Sequence, residues 1–419
     1  GQPPGAAHGL DVDEQGVGTV TEQRLYQLIR QTGPIADRQF EIEFLGPGAR
    51  SVSDRELASP VLALNPTLIV TTGTASFKKL LKRGALHPGE TTMAFDRRTM
   101  LKTAVGAATT LAATPGFAAN CQVGPAPHDK GAKVWLDLDQ IELDSAYDQS
   151  EYAPMIGQIL KRYGSRSVEI RARLGEPKRF SYGPTPVEAL DVFPARTSNA
   201  PIFVFVHGGA WRSGEAKDYA FPAELFVNAG VNFVVLDFIA VGAAQGDISV
   251  MAQQVRNAIA WTYKNAATFG GDPSRFFVGG HSSGGHLCGQ ALVTDWQKEF
   301  GLPADFIKGG LCMSGLYDMK PVRLSKRSSY IKFTDDMEAA MSTQRQIEKL
   351  RAPIIVTYGT FETPEFQRQS REFAALVKAA GKPVELIEAP NYNHFEMCEA
   401  LADPYGPNGR AALRLIKSV

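Results

Sequence analysis

From residue 185 to residue 419 the sequence predicts an α/β protein, a mostly parallel sheet with helices on both faces. Three observations predict it. First, short runs rich in Val, Ile and Phe recur at Ala189–Phe193, Ile202–Val206, Asn232–Phe238, Arg275–Val278, Ile307–Met313, Ile354–Tyr358 and Val384–Ile387. Each is bounded by Gly, Pro or Asp, as strands are. Second, apolar residues between these runs recur at helical spacing: Ile248, Met251, Val255 and Ile259, then Phe366, Phe373, Leu376 and Val377. Third, strands and helices alternate, and parallel neighbours need such crossovers between them. The second of the two helices opens with Thr363-Pro364-Glu365, a candidate N-cap, a proline suited to the first helical position and an acid for the first turn. Residues 120–185 carry a weaker pattern; Tyr152 to Tyr163 is a candidate helix and the rest a wrap-around lead-in.

Composition narrows the function classes. The chain has 419 residues, 44% of them hydrophobic, so most of it has the means to fold around a core. Its 44 Lys+Arg balance 44 Asp+Glu, which argues against nucleic acid as a partner and suggests a neutral or weakly charged substrate. Four cysteines without a C-x-x-C pair form neither a disulfide framework nor a zinc or redox motif, and Cys121, Cys288, Cys312 and Cys398 are open to pairing or to burial as thiols. No run of 18 apolar residues is present, so no spanning helix and no membrane partner is expected.

The N-terminal part has a different character. Arg97-Arg98 is followed by an uncharged Ala/Gly/Thr stretch, Thr103 to Ala119, with small residues at Ala118-Ala119. Positive charge, an apolar stretch and a small-residue cleavage point resemble a bacterial twin-arginine signal peptide over residues 93–119. This implies handling by the twin-arginine export machinery and a periplasmic or secreted product. Residues 1–92 would then be an upstream extension outside the native mature protein, and 120–419 the working domain. Within the extension, Gly18 to Phe44 resembles the tail of a thioredoxin-like protein, without a redox cysteine pair.

The chemistry concentrates in four places. Gly280-His281-Ser282-Ser283-Gly284 follows a predicted strand and precedes a predicted helix, Gly284 to Trp296. This is G-x-S-x-G in its strand-to-helix context, with Ser282 as candidate nucleophile at a sharp turn. His207-Gly208-Gly209-Ala210-Trp211 ends an earlier strand. Its glycines allow backbone N–H groups to turn toward a carbonyl oxygen, so Gly208 and Gly209, with Ala210 as a further option and Ser283 after the nucleophile, are candidate oxyanion-hole donors. His207 reads as structural and Trp211 as a pocket wall. Of the histidines after Ser282, His286 lies one helical turn on and reads as a packing residue, which leaves His394 in a late loop as the base. Glu362, just beyond the strand Ile354–Tyr358, is the first choice for the acid that orients His394, and Asp318 is its rival. Glu365 reads as a helix-start acid.

With these pieces in place, residues from about 135 to 419 resemble serine α/β-hydrolases, in particular the arylformamidase-like (kynurenine formamidase-like) esterases. The resemblance rests on His207 to Trp211, Phe269-Gly270-Gly271-Asp272-Pro273, Gly280 to Leu287, Ser314-Gly315-Leu316-Tyr317-Asp318, Glu362 to Ser370 and Asn393-His394-Phe395. Three positions depart from the family's common pattern: Glu362 stands for Asp, Ser283 for Ala and Ala210 for Tyr. The smaller Ala210 implies a larger pocket, with Phe395 beside it. The resemblance implies an α/β-hydrolase fold and a Ser282–His394–Glu362 triad that cleaves a small carboxylic ester, aryl or xenobiotic esters included, through an acyl-enzyme. An arylformamidase or aryl-amide hydrolase is the alternative, and a non-catalytic binding protein on the same scaffold a third. The expected partner is a small-molecule ester or amide; no metal or organic cofactor is implied.

Overall fold

The computed structural model describes residues 125–419. The expected extension, export signal and Cys121 lie outside the described residues.

Strand β3 (Ala200–Val206) shows how the sequence builds the architecture. All seven of its residues are buried. Ile202, Val204 and Val206 belong to one core cluster, whereas Phe203 and Phe205 belong to another on the opposite face. A strand whose alternate side chains both meet apolar layers lies inside a sheet covered on both sides. Around it are β1 (Lys178–Ser181), β2 (Ala189–Phe193), β4 (Asn232–Leu236), β5 (Gly271–His281), β6 (Ile307–Met313), β7 (Ile354–Phe361) and β8 (Val384–Asn393). They form one eight-stranded sheet in the order β1-β2-β4-β3-β5-β6-β7-β8. Pairing is parallel from β4 through β8 and antiparallel for β1–β2 and β2–β4.

The helices are α1 (Gln140–Ser145), α2 (Ile156–Leu174), α3 (Ala223–Asn228), α4 (Ile248–Lys264), α5 (Ser283–Leu292), α6 (Trp296–Phe300), α7 (Met319–Leu324), α8 (Asp335–Met341), α9 (Pro364–Ala379), α10 (His394–Glu399) and α11 (Pro407–Lys417). Ile248, Met251, Val255 and Ile259 place α4 on the first core, and Phe366, Phe373 and Val377 place α9 there too. Ile159, Tyr163 and Ile170 of α2 and Leu415 and Ile416 of α11 fill the second. Leu376 is the exception in its stripe, 39% exposed.

All seven expected strands are present, and the differences have local causes. β1, Lys-Arg-Phe-Ser, is an edge strand with mostly exposed side chains, so it carries no apolar signature. β5 extends through Gly279 and Gly280 because the absence of Cβ allows neighbouring groups to close on it: a Cβ on Gly280 would overlap the Gly284 carbonyl oxygen. The helix expected from Gly284 to Trp296 stops at Leu292, and Asp295 caps a separate α6. The candidate helix at 152–163 begins at Ile156 and continues to Leu174. Thr363 is not a side-chain cap; its hydroxyl donates to the Ala146 carbonyl at 2.7 Å, while Pro364 takes the first helical turn as expected.

That bond belongs to a wider tie. The Thr363 N–H donates to Gln149 Oε1 at 3.1 Å, and Tyr147 Oη–H donates to Glu365 at 3.2 Å. The lead-in from α1 to residue 151 is thereby fastened over the carboxyl ends of the strands, the end where open α/β sheets place their ligand crevices.

Candidate active site

The site is assembled from the carboxyl ends of β3, β5 and β7 and from the turn after β8. At the end of β5 the chain reverses into α5 through Ser282, whose φ of 59° and ψ of −125° lie where side-chain-bearing residues are strained. The turn closes only because its flanks are bare. A Cβ on Gly284 would collide with the Val206 and His207 carbonyl oxygens, and one on Gly208 would press on the His281 carbonyl and the Ser282 side chain. The Ser282 N–H is held by the Met313 carbonyl at 3.0 Å.

Three side chains form a continuous line. Ser282 Oγ–H donates to His394 Nε2 at 2.8 Å, and His394 Nδ1–H donates to Glu362 Oε2 at 2.8 Å. Glu362 is wholly buried, and its other oxygen accepts from Ser314 Oγ at 2.6 Å and Gly359 N at 2.7 Å. His394 opens α10, where Asn393 and Glu396 make a reciprocal capping box that holds the helix start. Asp318 lies elsewhere: it caps α7 through Lys320 N and sits 3.4 Å from Arg345. Glu365 is more than a helix-start acid; it is buried and bound to Arg368 at 2.7 Å.

The loop after β3 contributes the next part. Gly209 has φ of 125°, and Ala210 and Trp211 are left-handed at 54° and 61°. Among the described residues, the N–H groups of Gly208, Gly209 and Ala210 find no acceptor, and Ser283 begins α5, where a backbone N–H has no intrahelical partner. Gly208, Gly209, Ala210, Ser282, His394 and Phe395 line one cavity of about 430 Å³, which Tyr147, Ile156, Leu160 and Tyr163 help enclose. Unpaired amides beside a serine hydroxyl on a cavity wall are an arrangement able to receive an oxyanion.

One expected wall residue is misplaced. Trp211 is 1% exposed, belongs to the first core and does not border the cavity. Its Nε1–H donates to His286 Nδ1 at 3.2 Å, and His286 Nε2–H donates to the Met341 carbonyl at 2.9 Å. The left-handed backbone at Ala210 and Trp211 turns the indole under the loop rather than into the cavity. His286 packs as expected. His207 is also structural, stacked between Tyr219 and Phe238 with Nδ1–H on the Gly208 carbonyl at 2.8 Å.

Sequence reasoning missed His281 and Ser314 as positioning groups. His281 Nε2–H donates to the His394 backbone carbonyl at 2.7 Å, and the two rings lie 4.7 Å apart. It occupies the variable position of the pentapeptide, which carries no weight in the motif. Burial, with the nearby His394, pushes its pKa well below the usual range. Ser314 at φ 49° follows β6 and is recognisable as a ligand of Glu362 only once β6 and β7 are neighbours.

Burial also lowers His207, and lowers His286 to about 4. Burial thus disfavours the charged form of all three histidines in the fold, whereas each is free to protonate once unfolded. Below about pH 6.5 the unfolded chain therefore binds more protons, and stability falls with falling pH, for His286 down to its folded value of about 4. Urea melts at pH 7.5 and 5.5 are expected to show a clear loss at the lower pH, reduced in His286→Gln. An unchanged or greater stability at pH 5.5 would contradict the buried neutral assignment.

Comparison with known proteins gives likenesses in sequence and in fold. The BD-FAE family model matches residues 190–308, and a model described as a thioredoxin-like C-terminal domain matches residues 1–53. Kynurenine formamidase of Salmo salar is 28% identical over 283 residues, covering 64% of this chain and 94% of that protein. Esterase LipC of Mycobacterium tuberculosis is 26% identical over 269 residues, covering 58% of this chain and 65% of that protein. A solved structure of a proposed thioesterase from Silicibacter sp. tm1040 superposes with a TM-score of 0.58 at 23% identity, covering 66% of this chain and 99% of that one. The described residues have the α/β-hydrolase fold, and the chain is similar in sequence to esterases and kynurenine formamidases.

Proposed function

We propose that residues 125–419 hydrolyse a small carboxylic ester through an acyl-enzyme on Ser282. The observation that carries this reading is the unbroken line from Ser282 Oγ through His394 to buried Glu362, opening on a cavity lined by unpaired amides. His394 Nε2 takes the Ser282 proton as Oγ attacks the carbonyl carbon. Negative charge developing on the carbonyl oxygen is met by the amides of Gly208, Gly209 and Ser283. His394 then gives the proton to the leaving alcohol, and a water activated by the same nitrogen releases the acid. Glu362 keeps Nδ1 protonated throughout, so Nε2 is always the nitrogen that faces Ser282.

The likeness to kynurenine formamidases supports a second reading, hydrolysis of an aryl formamide by the same steps. Rates on phenyl acetate and on N-formylaniline separate the two. The ester is expected to be cleaved with the larger kcat/KM; a reversed order moves the assignment to a formamidase, and failure to cleave these and charged aryl esters alike refutes the hydrolase reading. The twin-arginine pattern at 93–119 further supports an exported enzyme, tested by whether the native protein is recovered from periplasm or medium rather than cytoplasm.

A further inference from the structure

The cavity that Ser282 faces is also bordered by two arginines without carboxylate partners. Arg327, in the short helical turn Lys326–Ser329 that follows α7, is 9% exposed. Its Nη1 donates to Tyr330 Oη at 2.8 Å and its Nη2 to the Tyr147 carbonyl at 2.9 Å, both neutral acceptors. Its guanidinium lies 5.5 Å from the Tyr147 ring and 5.6 Å from the Trp211 ring. Its Nε has no acceptor, and among the described residues it makes no ion pair. Arg212, next to the loop of unpaired amides, stacks 4.9 Å over the Tyr330 ring, and it too makes no ion pair among the described residues. Tyr330 thus links the two cations. Asp148 also borders the cavity, but Lys326 neutralises it at 2.9 Å.

A buried guanidinium held only by neutral oxygens and aromatic faces is an uncommon arrangement, because removing a cation from water is costly unless an anion or several strong acceptors replace the water. Ring faces recover part of that cost. A second unpaired arginine on the same cavity adds to the positive potential there, and the planar fork of each matches a carboxylate. We infer that the substrate carries an acid group, a carboxylate in its simplest form, received by Arg327 and Arg212 while its ester carbonyl meets Ser282. This refines the proposed hydrolase and rests on it. It narrows the expectation of a neutral or weakly charged substrate drawn from net charge to a substrate with one acid group, because the charges that face the cavity decide this rather than the balance over 419 residues.

The acid could lie on either side of the scissile bond, so the test has two arms. On the leaving-group side, para-acetoxybenzoate is compared with para-acetoxybenzamide. On the acyl side, the para-nitrophenyl hemiester of adipate is compared with para-nitrophenyl hexanoate. The measured quantity is the ratio of kcat/KM for the anionic ester to that for its neutral counterpart, with spontaneous hydrolysis subtracted. In at least one arm, Arg327→Gln and Arg212→Gln are each expected to lower this ratio by about tenfold or more, and Arg327→Lys to retain part of it. Arg327 also pins the Tyr147 carbonyl, and a purely structural role would lower both rates together. An unchanged ratio in both arms therefore overturns the proposal. Calorimetric titration of Ser282→Ala protein with the same four esters reads the preference without turnover. Tighter binding of an anionic ester, lost in Ser282→Ala/Arg212→Gln, supports the arginine site even if no ester is cleaved; equal binding of anionic and neutral esters refutes it.

Discussion

Ser282→Ala is expected to lower kcat on phenyl acetate by about a millionfold, the scale on which removal of a nucleophilic serine acts in enzymes of this chemistry. Deleting Oγ removes the proposed attacking atom, the hydroxyl that bonds His394 Nε2. The thiols of Cys288, Cys312 and Cys398 are free but buried. Stability should change little, because alanine retains the Cβ and therefore the strained backbone at φ 59°. Ser282→Gly makes the complementary test. It is equally inactive, but releases strain worth about 1–3 kcal/mol. Glycine's larger unfolded-state entropy offsets about 0.5–1 kcal/mol of this. Urea denaturation should therefore rank Ser282→Gly above both the parent and Ser282→Ala. Steady-state kinetics with freshly purified protein check the first expectation; more than about one part in a thousand of residual turnover would remove Ser282 from the proposed role.

Glu362→Gln is expected to cost on the order of ten-thousandfold in kcat, for a reason that concerns one proton. Oε1 of Glu362 receives two donors, Ser314 Oγ and Gly359 N, so a glutamine there must present its carbonyl oxygen to them. Its NH2 then faces His394 Nδ1, at the position where Oε2 now accepts. The ring is driven to the tautomer protonated on Nε2, and Nε2 can no longer accept from Ser282. The alternative rotamer would set an NH2 against two donors inside a wholly buried site, at about 1–3 kcal/mol for each unsatisfied group. The fold should survive, because every group keeps a partner in the first arrangement. Asp318→Asn is the matched control: it removes a carboxylate that caps α7 and should change kcat by no more than a few fold. If Asp318→Asn were the damaging change and Glu362→Gln the mild one, the acid assignment would be reversed.

Much of this molecule was readable before its structure was described, and the unread parts share a cause. Apolar runs identified β2 through β8, the edge strand β8 included, since a sheet covered on both faces draws on hydrophobic segments along most of its width. β1 escaped because its Lys-Arg-Phe-Ser sequence is short and holds a single apolar residue, so only its pairing with β2 defines it as a strand. Ser282 and His394 could be singled out because their chemistry demands particular residue types at particular points along the chain. The position of Trp211 could not be. Its burial follows from two consecutive left-handed residues whose conformation no single-residue preference announces.

Along the chain, then, residue type and order pointed to the fold class, to Ser282 and His394 as the proposed nucleophile and base, and to the glycine-lined loop. Tertiary structure decided what depends on distance between remote segments. It placed Glu362 rather than Asp318 on His394, brought His281 and Ser314 in as supports, and turned Trp211 inward. It also gathered Arg212 and Arg327, 115 residues apart in sequence, on the cavity that Ser282 faces. The physical reason is that local chemistry travels with the residue, whereas hydrogen bonds and fields fall off within a few ångströms and exist only where folding brings their partners together.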